Sequence, residues 1–273
     1  MIKDILAIVD NAEQAAPFIH AAVAFAHSRG AHLEIAALTP GPYLAPELLP
    51  FGVAYVPDDA LARDDRQKVD AVTALVANAD CPVSVFGLHD DIAWLAGDMR
   101  RSRQIADLIL IGPPESWQTP WLRRRVIETS ILSSGTPTLV VPPAAALVPV
   151  RRAVLGWKAS PEANRAVHDL VSFAEPGAHI DVVMAVDVNR EHAAKDGEEL
   201  RRHLVRHGFD VGLHILPTDG MSEGDVVHAF AMRSRAELLA VGGFGHSRIR
   251  EIVLGGVTRC LIADAVVPVM FSH

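Results

Sequence analysis

The chain has 273 residues, half of them hydrophobic, and a formal net charge of −8 at pH 7. That length can bury a large core and favours about two domains, while the acidic balance excludes a general nucleic-acid binder, which neutralises phosphates with a basic face. No run reaches the roughly 18 uninterrupted apolar residues of a membrane span. The start MIKDILAIVD carries acids where a secretory leader keeps its apolar stretch clean, so the expected compartment is the cytoplasm, with neither membrane nor nucleic acid as partner.

Taken in chain order, short apolar runs alternate with longer amphipathic segments, the pattern of strand, helix, strand and hence of parallel sheets covered on both faces. DILAIVD at 4–10 opens the first half as a strand, and a second strand follows at about 31–39. Between that strand and the next helix the chain inserts TPGPYLAPELLPFGVAYVP, rich in proline and apolar residues, which suits packing across a domain or subunit interface. ADLILIG at 106–112 and TPTLVVP at 136–142 supply the last strands of this half, and the proline-bearing linker PPAAALVPV at 142–150 leads into the second.

The second half repeats the plan. RAVLGWK at 152–158 parallels DILAIVD, AELLAVG at 236–242 parallels ADLILIG at an offset of 130 residues, and VPVMFSH at 267–273 parallels TPTLVVP. The chain therefore divides into domains 1–143 and 151–273. In the second copy strands are expected at 152–158, 179–186, 211–216, 237–242 and 267–271. One helix over 160–174 starts at Ser160-Pro161, an N-cap followed by proline at the first helical position, and another starts at the capping box Ser222 to Asp225.

Strand 237–242 runs into AVGGFGHSRIREIVLGGVTR at 240–259, five glycines in two clusters. In a parallel α/β sheet the ligand crevice lies outside the carboxyl ends of the strands. Glycines there leave peptide N–H groups accessible, and Gly255 and Gly256 open a helix of about 256–265, whose start carries unpaired N–H groups suited to an anion.

The spacing Gly242-x2-Gly245-x9-Gly255 resembles the nucleotide-binding signature of the universal stress protein family in its tandem form. The resemblance implies two Rossmann-like domains of the adenine nucleotide alpha hydrolase type, each a five-stranded parallel sheet in order 3-2-1-4-5 with helices on both faces. It also implies ATP or another adenine nucleotide, with Mg, as ligand. The corresponding contacts are Val241, Gly242, Gly245, Gly255, Gly256, Val257 and Thr258 around ribose and phosphates, and the backbone near Val186 at the adenine; Asp187 caps its strand. Two positions depart from the family pattern: Gly256 stands where a hydroxyl residue is usual, and Lys158 where the first strand usually ends in aspartate.

Under the same alignment the first copy keeps Asp10 and Gly112, but Gly245 becomes Glu115 and Gly255 becomes Arg125, and Pro113 and Pro114 lack amide donors. This copy is expected not to bind ATP in the usual manner, with Trp117 and Trp121 filling the vacated crevice or an interface. Arg123, Arg124 and Arg125 read as a solvated helix face, and His203 and His207, four apart, as a polar helix face without a third metal ligand.

Cys81 and Cys260 form no CxxC pair and read as buried small hydrophobes. The reading is a nucleotide-responsive binding module with an unidentified protein partner. The alternatives are a nucleotide-free scaffold and a weak ATP hydrolase using His246 or Glu251. The last strands of the two halves, as exposed sheet edges, are expected to pair as an intramolecular pseudo-dimer, with a homodimer through 40–57 as a further possibility.

Overall fold

A computed structural model describes residues 2–40, 58–90, 105–187, 190–243 and 265–273. Residues 41–57 of the insertion and residues 244–264, where the sequence leads one to expect the glycine-bearing loop and a helix, lie outside the described residues. The chain separates into two compact units, Lys3–Ser134 and Gly135–His273 with Met1–Ile2.

In the first unit β1 (Asp4–Val9), α1 (Ala16–Arg29), β2 (His32–Pro40), α2 (Asp58–Leu75), β3 (Val83–Asp90), β4 (Leu108–Ile111) and α3 (Pro120–Ser133) follow one another. β1 lies between β2 and β4, and β2 pairs with β3, all parallel, which gives the order β3-β2-β1-β4. Ile5, Leu6, Ala7 and Ile8 are all buried, as are all four residues of β4, because a parallel sheet covered on both faces has no side to give to water. α1 ends where Gly30 turns left-handed at φ 55° and donates its N–H to the carbonyls of Ala26 and His27.

The second unit contains β5 (Thr138–Val140), β6 (Arg152–Gly156), α4 (Pro161–Phe173), β7 (His179–Ala185), α5 (Arg190–Arg206), β8 (Asp210–Leu216), α6 (Glu223–Arg233), β9 (Leu238–Gly242) and β10 (Val269–Ser272). Its parallel strands run β8-β7-β6-β9-β10, the order 3-2-1-4-5 that the resemblance implies. β5 adds an antiparallel edge, with Val140 opposite Val269 and Thr138 opposite Phe271. This is the edge-to-edge pairing expected of segments 136–141 and 267–271.

Both well-signalled helix starts form as their sequences dictate. The Ser160 hydroxyl accepts from the Ala163 N–H at 3.1 Å, and Pro161 occupies the first turn, where a missing N–H costs nothing. At α6 the box is reciprocal: the Ser222 hydroxyl accepts from the Asp225 N–H while the Asp225 carboxylate receives the Ser222 N–H. The strand expected at 152–158 ends sooner, at Gly156, leaving Trp157 and Lys158 just beyond the sheet.

Candidate functional site

The topological switch of the second unit falls between β6 and β9, the neighbouring strands from which connections leave in opposite directions, and it is there that α/β sheets of this kind take their ligands. Of the residues expected to form the site, Val186, Val241 and Gly242 are described; Gly245, Gly255, Gly256, Val257 and Thr258 lie outside the described residues, as do His246 and Glu251.

Gly242 is a glycine for a reason of packing. A Cβ there would lie 2.7 Å from the Ala163 nitrogen and 2.8 Å from the Glu162 carbonyl carbon, so the strand end and the first turn of α4 touch backbone to backbone. Val241 points the other way, its Cγ1 3.0 Å from where a Cβ on Gly156 would stand. Gly243 donates its N–H to the Ser272 carbonyl at 2.7 Å and its own carbonyl receives His273 Nδ1 at 3.0 Å, which ties the start of the loop to the chain terminus.

The Val186 N–H is already spent on the Leu216 carbonyl at 2.8 Å, which leaves the contact expected of this residue's backbone to its carbonyl. Asp187 receives both the N–H and the hydroxyl of Thr218, joining the loops after β7 and β8. Lys158, one residue past Trp157, reaches the Glu223 carboxylate at the start of α6 at 2.8 Å. Both partners are largely exposed, 67% and 42%, so this is a surface pair.

The corresponding region of the first unit is filled by its own chain. Asp10, 2% exposed, accepts from the backbone N–H of Gln118 at 3.0 Å and of Thr119 at 2.9 Å, and from the Asn11 amide at 2.8 Å. Asn11 also donates to the Ser116 carbonyl at 3.1 Å. The segment after β4 thus folds back as a short 3-10 turn, Pro114–Ser116, and presents two N–H groups to the carboxylate that the family resemblance assigns to a nucleoside. Trp117, which closes this turn, is buried, whereas Trp121 in the first turn of α3 is half exposed and so does not fill a crevice.

The arginine triplet also divides. Arg124 and Arg125 face solvent, Arg124 pairing with Glu128, but Arg123 is 7% exposed and its Nε donates to the Gly112 carbonyl at 2.8 Å. Burial pulls its guanidinium pKa down to about 10, partly opposed by Glu115. The solvated-face expectation is therefore corrected at Arg123, which caps the end of β4. Cys81 is half-buried, and burial raises its thiol pKa.

Two histidine groupings stand in the second unit, one across neighbouring strands and one on the helices, where spacing had already paired His203 with His207. On β7 and β8, Asp181 accepts from His214 Nε2 at 2.7 Å and faces His179 Nε2 at 3.1 Å, while His179 Nδ1 meets Asp210 at 2.7 Å. Gly212 makes room, since a Cβ there would stand 2.6 Å from the Asp181 carboxylate and 2.9 Å from His214 Nε2. The hydrogen bond to Asp210 is the largest influence raising the His179 pKa. On the helices, His203 has His207 and His168 as ring neighbours at 4.7 and 6.3 Å, and burial, then those neighbours and Arg206, lower its pKa. Among the described residues no group of three His, Cys, Asp or Glu is placed to hold a metal ion.

A doubly wound parallel sheet with helices on both faces and its switch point at β6/β9 defines a Rossmann-like α/β protein. No family model and no curated protein matches the sequence. Solved structures do. A universal stress protein from Archaeoglobus fulgidus DSM 4304 superposes with a TM-score of 0.71 at 14% identity, over 98% of this chain and 97% of that one. A functionally unknown protein from Pseudomonas aeruginosa PAO1 superposes with a TM-score of 0.54 at 14% identity, over 99% of this chain and 92% of that one. The chain has the tandem universal stress protein fold. Among the described residues no helix is long and apolar enough to cross a membrane.

Proposed function

We propose that the protein is a tandem universal stress protein whose domains, 1–143 and 151–273, have diverged into one self-filled copy and one that binds ATP or a related adenine nucleotide. The observation that carries this reading is the contrast at Asp10: in the first copy the strand-end acid is consumed by the amides of Gln118 and Thr119. The second copy has no such acid, its Lys158 being drawn aside to Glu223, and the sequence after β9 offers glycines where the first copy has prolines and an acid.

The ligand's phosphates would lie on the N–H groups near Gly245, Gly255, Gly256, Val257 and Thr258, beside Val241 and Gly242, with adenine near Val186. Mg would be held by the phosphates and water, the usual habit of this cation at nucleotides. The protein acts by linkage: a ligand favouring one form stabilises it by about 2.7 kcal/mol when it is 100-fold above Kd, and so biases a surface read by a protein partner in a cytoplasmic stress response. The β5–β10 pairing is consistent with an intramolecular pseudo-dimer.

Calorimetry with ATP, ADP, AMP and adenosine tests the reading. Binding at one site per chain is expected, and Gly245→Glu, which copies the first half, should weaken ATP at least tenfold. Absence of binding to the unaltered chain would sink it, and release of phosphate abolished by changing His246 or Glu251 would favour the hydrolase alternative.

A further inference from the structure

Among the described residues of the second unit, two side-chain polar atoms are buried without a hydrogen-bond partner: the indole N–H of Trp157, a residue 9% exposed, and the hydroxyl of Ser272, a residue 1% exposed. An unpaired buried polar group is costly and uncommon, and a native structure that keeps one usually holds it for something.

Their positions coincide. Gly156 pairs in register with Val241, so the next residue, Trp157, stands level with Gly242, and Gly242 pairs with Ser272. The backbone N–H of Trp157 bonds the Val183 carbonyl at 2.9 Å, which keeps the residue in line although it lies past the end of β6. Side chains alternate across a sheet, and Gly156 faces Val227 of α6; Trp157, Gly242 and Ser272 therefore share the opposite face, the one on which the first turn of α4 meets Gly242. The row runs indole, bare glycine, hydroxyl, across three strands spaced about 4.8 Å apart, at the carboxyl ends that flank the switch point.

The internal repeat supplies a second observation. Aligning DILAIVD with RAVLGWK puts Val9 at the place of Trp157, and aligning TPTLVVP with VPVMFSH puts Val141 at the place of Ser272. Both valines are buried. The copy whose crevice is filled by its own chain thus has apolar groups at both places, and the other copy has hydrogen-bonding groups at both.

We propose that Trp157 and Ser272 are ligand-contacting residues that determine specificity in the second unit, engaging oxygen atoms of the bound molecule on either side of Gly242. This rests on the nucleotide reading above. The indole N–H only donates and a serine hydroxyl both donates and accepts, so the ligand must present oxygen acceptors, a property shared by sugar hydroxyls and phosphate.

The test uses the full chain. Trp157→Phe removes the N–H and keeps an aromatic ring; Ser272→Ala removes the hydroxyl. Each is expected to weaken ATP on the order of tenfold by calorimetry, the loss of one hydrogen bond to a ligand. Equal loss for adenosine assigns the contact to the sugar, and loss confined to ATP assigns it to phosphate. Without ligand, Ser272→Ala should melt no lower than the unaltered protein, because the hydroxyl it removes had no partner. The Trp157 indole N–H resonance, assigned by its disappearance in Trp157→Phe, should shift when ATP is added.

ATP bound as tightly by both variants, with the indole resonance unmoved, overturns the inference and leaves the nucleotide reading standing. A lowered melting temperature for Ser272→Ala with unchanged ATP affinity also overturns it, by giving the hydroxyl a purely structural role. No binding of any adenylate to the unaltered chain overturns both.

Discussion

The ends of β4 and β9 carry the same glycine, and the two units use it differently. At Gly112 a Cβ would meet side chains, Ser116 Oγ at 2.5 Å and Phe18 Cγ at 2.8 Å; at Gly242 it would meet the backbone of α4 at 2.7 and 2.8 Å. Beyond Gly112 the chain turns inward, gives Asp10 its two N–H groups and leaves the Gly112 carbonyl to Arg123. Beyond Gly242 the chain bonds only the last strand and the terminus before leaving the described residues. The same strand end is thus closed by its own chain in the first unit, and the use made of the strand-end acid separates it from the second.

Asp10→Ala should break the comparison most forcefully. It removes a buried carboxylate and leaves two part-buried N–H groups and the Asn11 amide without their charged acceptor, and should cost about 3 kcal/mol in urea unfolding of the full chain. Asp10→Asn, which keeps one acceptor oxygen, should lose about half as much. A loss under about 1 kcal/mol for Asp10→Ala would mean that the loop is not held by this carboxylate.

Next in size is the glycine pair. Gly242→Ala forces strand and helix backbones apart and should cost about 2–3 kcal/mol. Gly112→Ala meets the hydroxyl of Ser116 and the ring of Phe18, both buried, and displacing packed side chains should cost less than parting two backbones, about 1–2 kcal/mol. Equal costs, read from denaturant midpoints, would erase the distinction between the two glycines.

Local rules made much of the fold readable. Serine before proline marked α4, the serine-to-aspartate box marked α6, and the repeated apolar runs marked strands, while the order β8-β7-β6-β9-β10 came only with the family resemblance. The site was less legible because its contacts join residues far apart in sequence. Asp10 meets amides more than 100 positions away, and nothing near Arg123 separates it from its two exposed neighbours, since only its position on α3 beside the Gly112 carbonyl buries it. Trp157 reads as part of a strand, and only the register across β6, β9 and β10 shows that it shares a row with Ser272. The Asp181 network could have been suspected from alternation: His179 and Asp181 share one face of β7, and Asp210 and His214 one face of β8.

That network gives the second unit a pH response centred on His179. His179 can donate to Asp181 and Asp210 together only as the imidazolium, and its pKa is raised in the fold. The groups around it are Asp181 on its own strand, Asp210 and His214 on β8, Arg152 opposite it on β6 with its guanidinium turned to the Ser234 carbonyl, and the Phe230 ring of α6 against His214. A raised histidine pKa stabilises the fold below the unfolded value of about 6.5, and that contribution is lost as pH rises through the folded value. Stability measured from pH 6 upward should therefore fall more for the unaltered protein than for His179→Gln. The difference should be under about 1 kcal/mol, since the imidazole is partly exposed. Parallel pH profiles would remove His179 as the cause.

The smallest stability effect and the sharpest functional contrast meet at Lys158. Its bridge to Glu223 is exposed on both sides, so Lys158→Ala should change unfolding by no more than about 0.5 kcal/mol. Lys158→Asp places an acid where the first copy has Asp10, but no amides like those of Gln118 and Thr119 are described beside it, and Glu223 is close by. A carboxylate so placed is free to accept from a nucleoside hydroxyl, while like charge discourages phosphate. Adenosine should therefore bind Lys158→Asp more tightly than the unaltered chain, and ATP should gain less or lose. If both ligands weaken together, the lysine itself touches the ligand and the surface pair with Glu223 must open for binding.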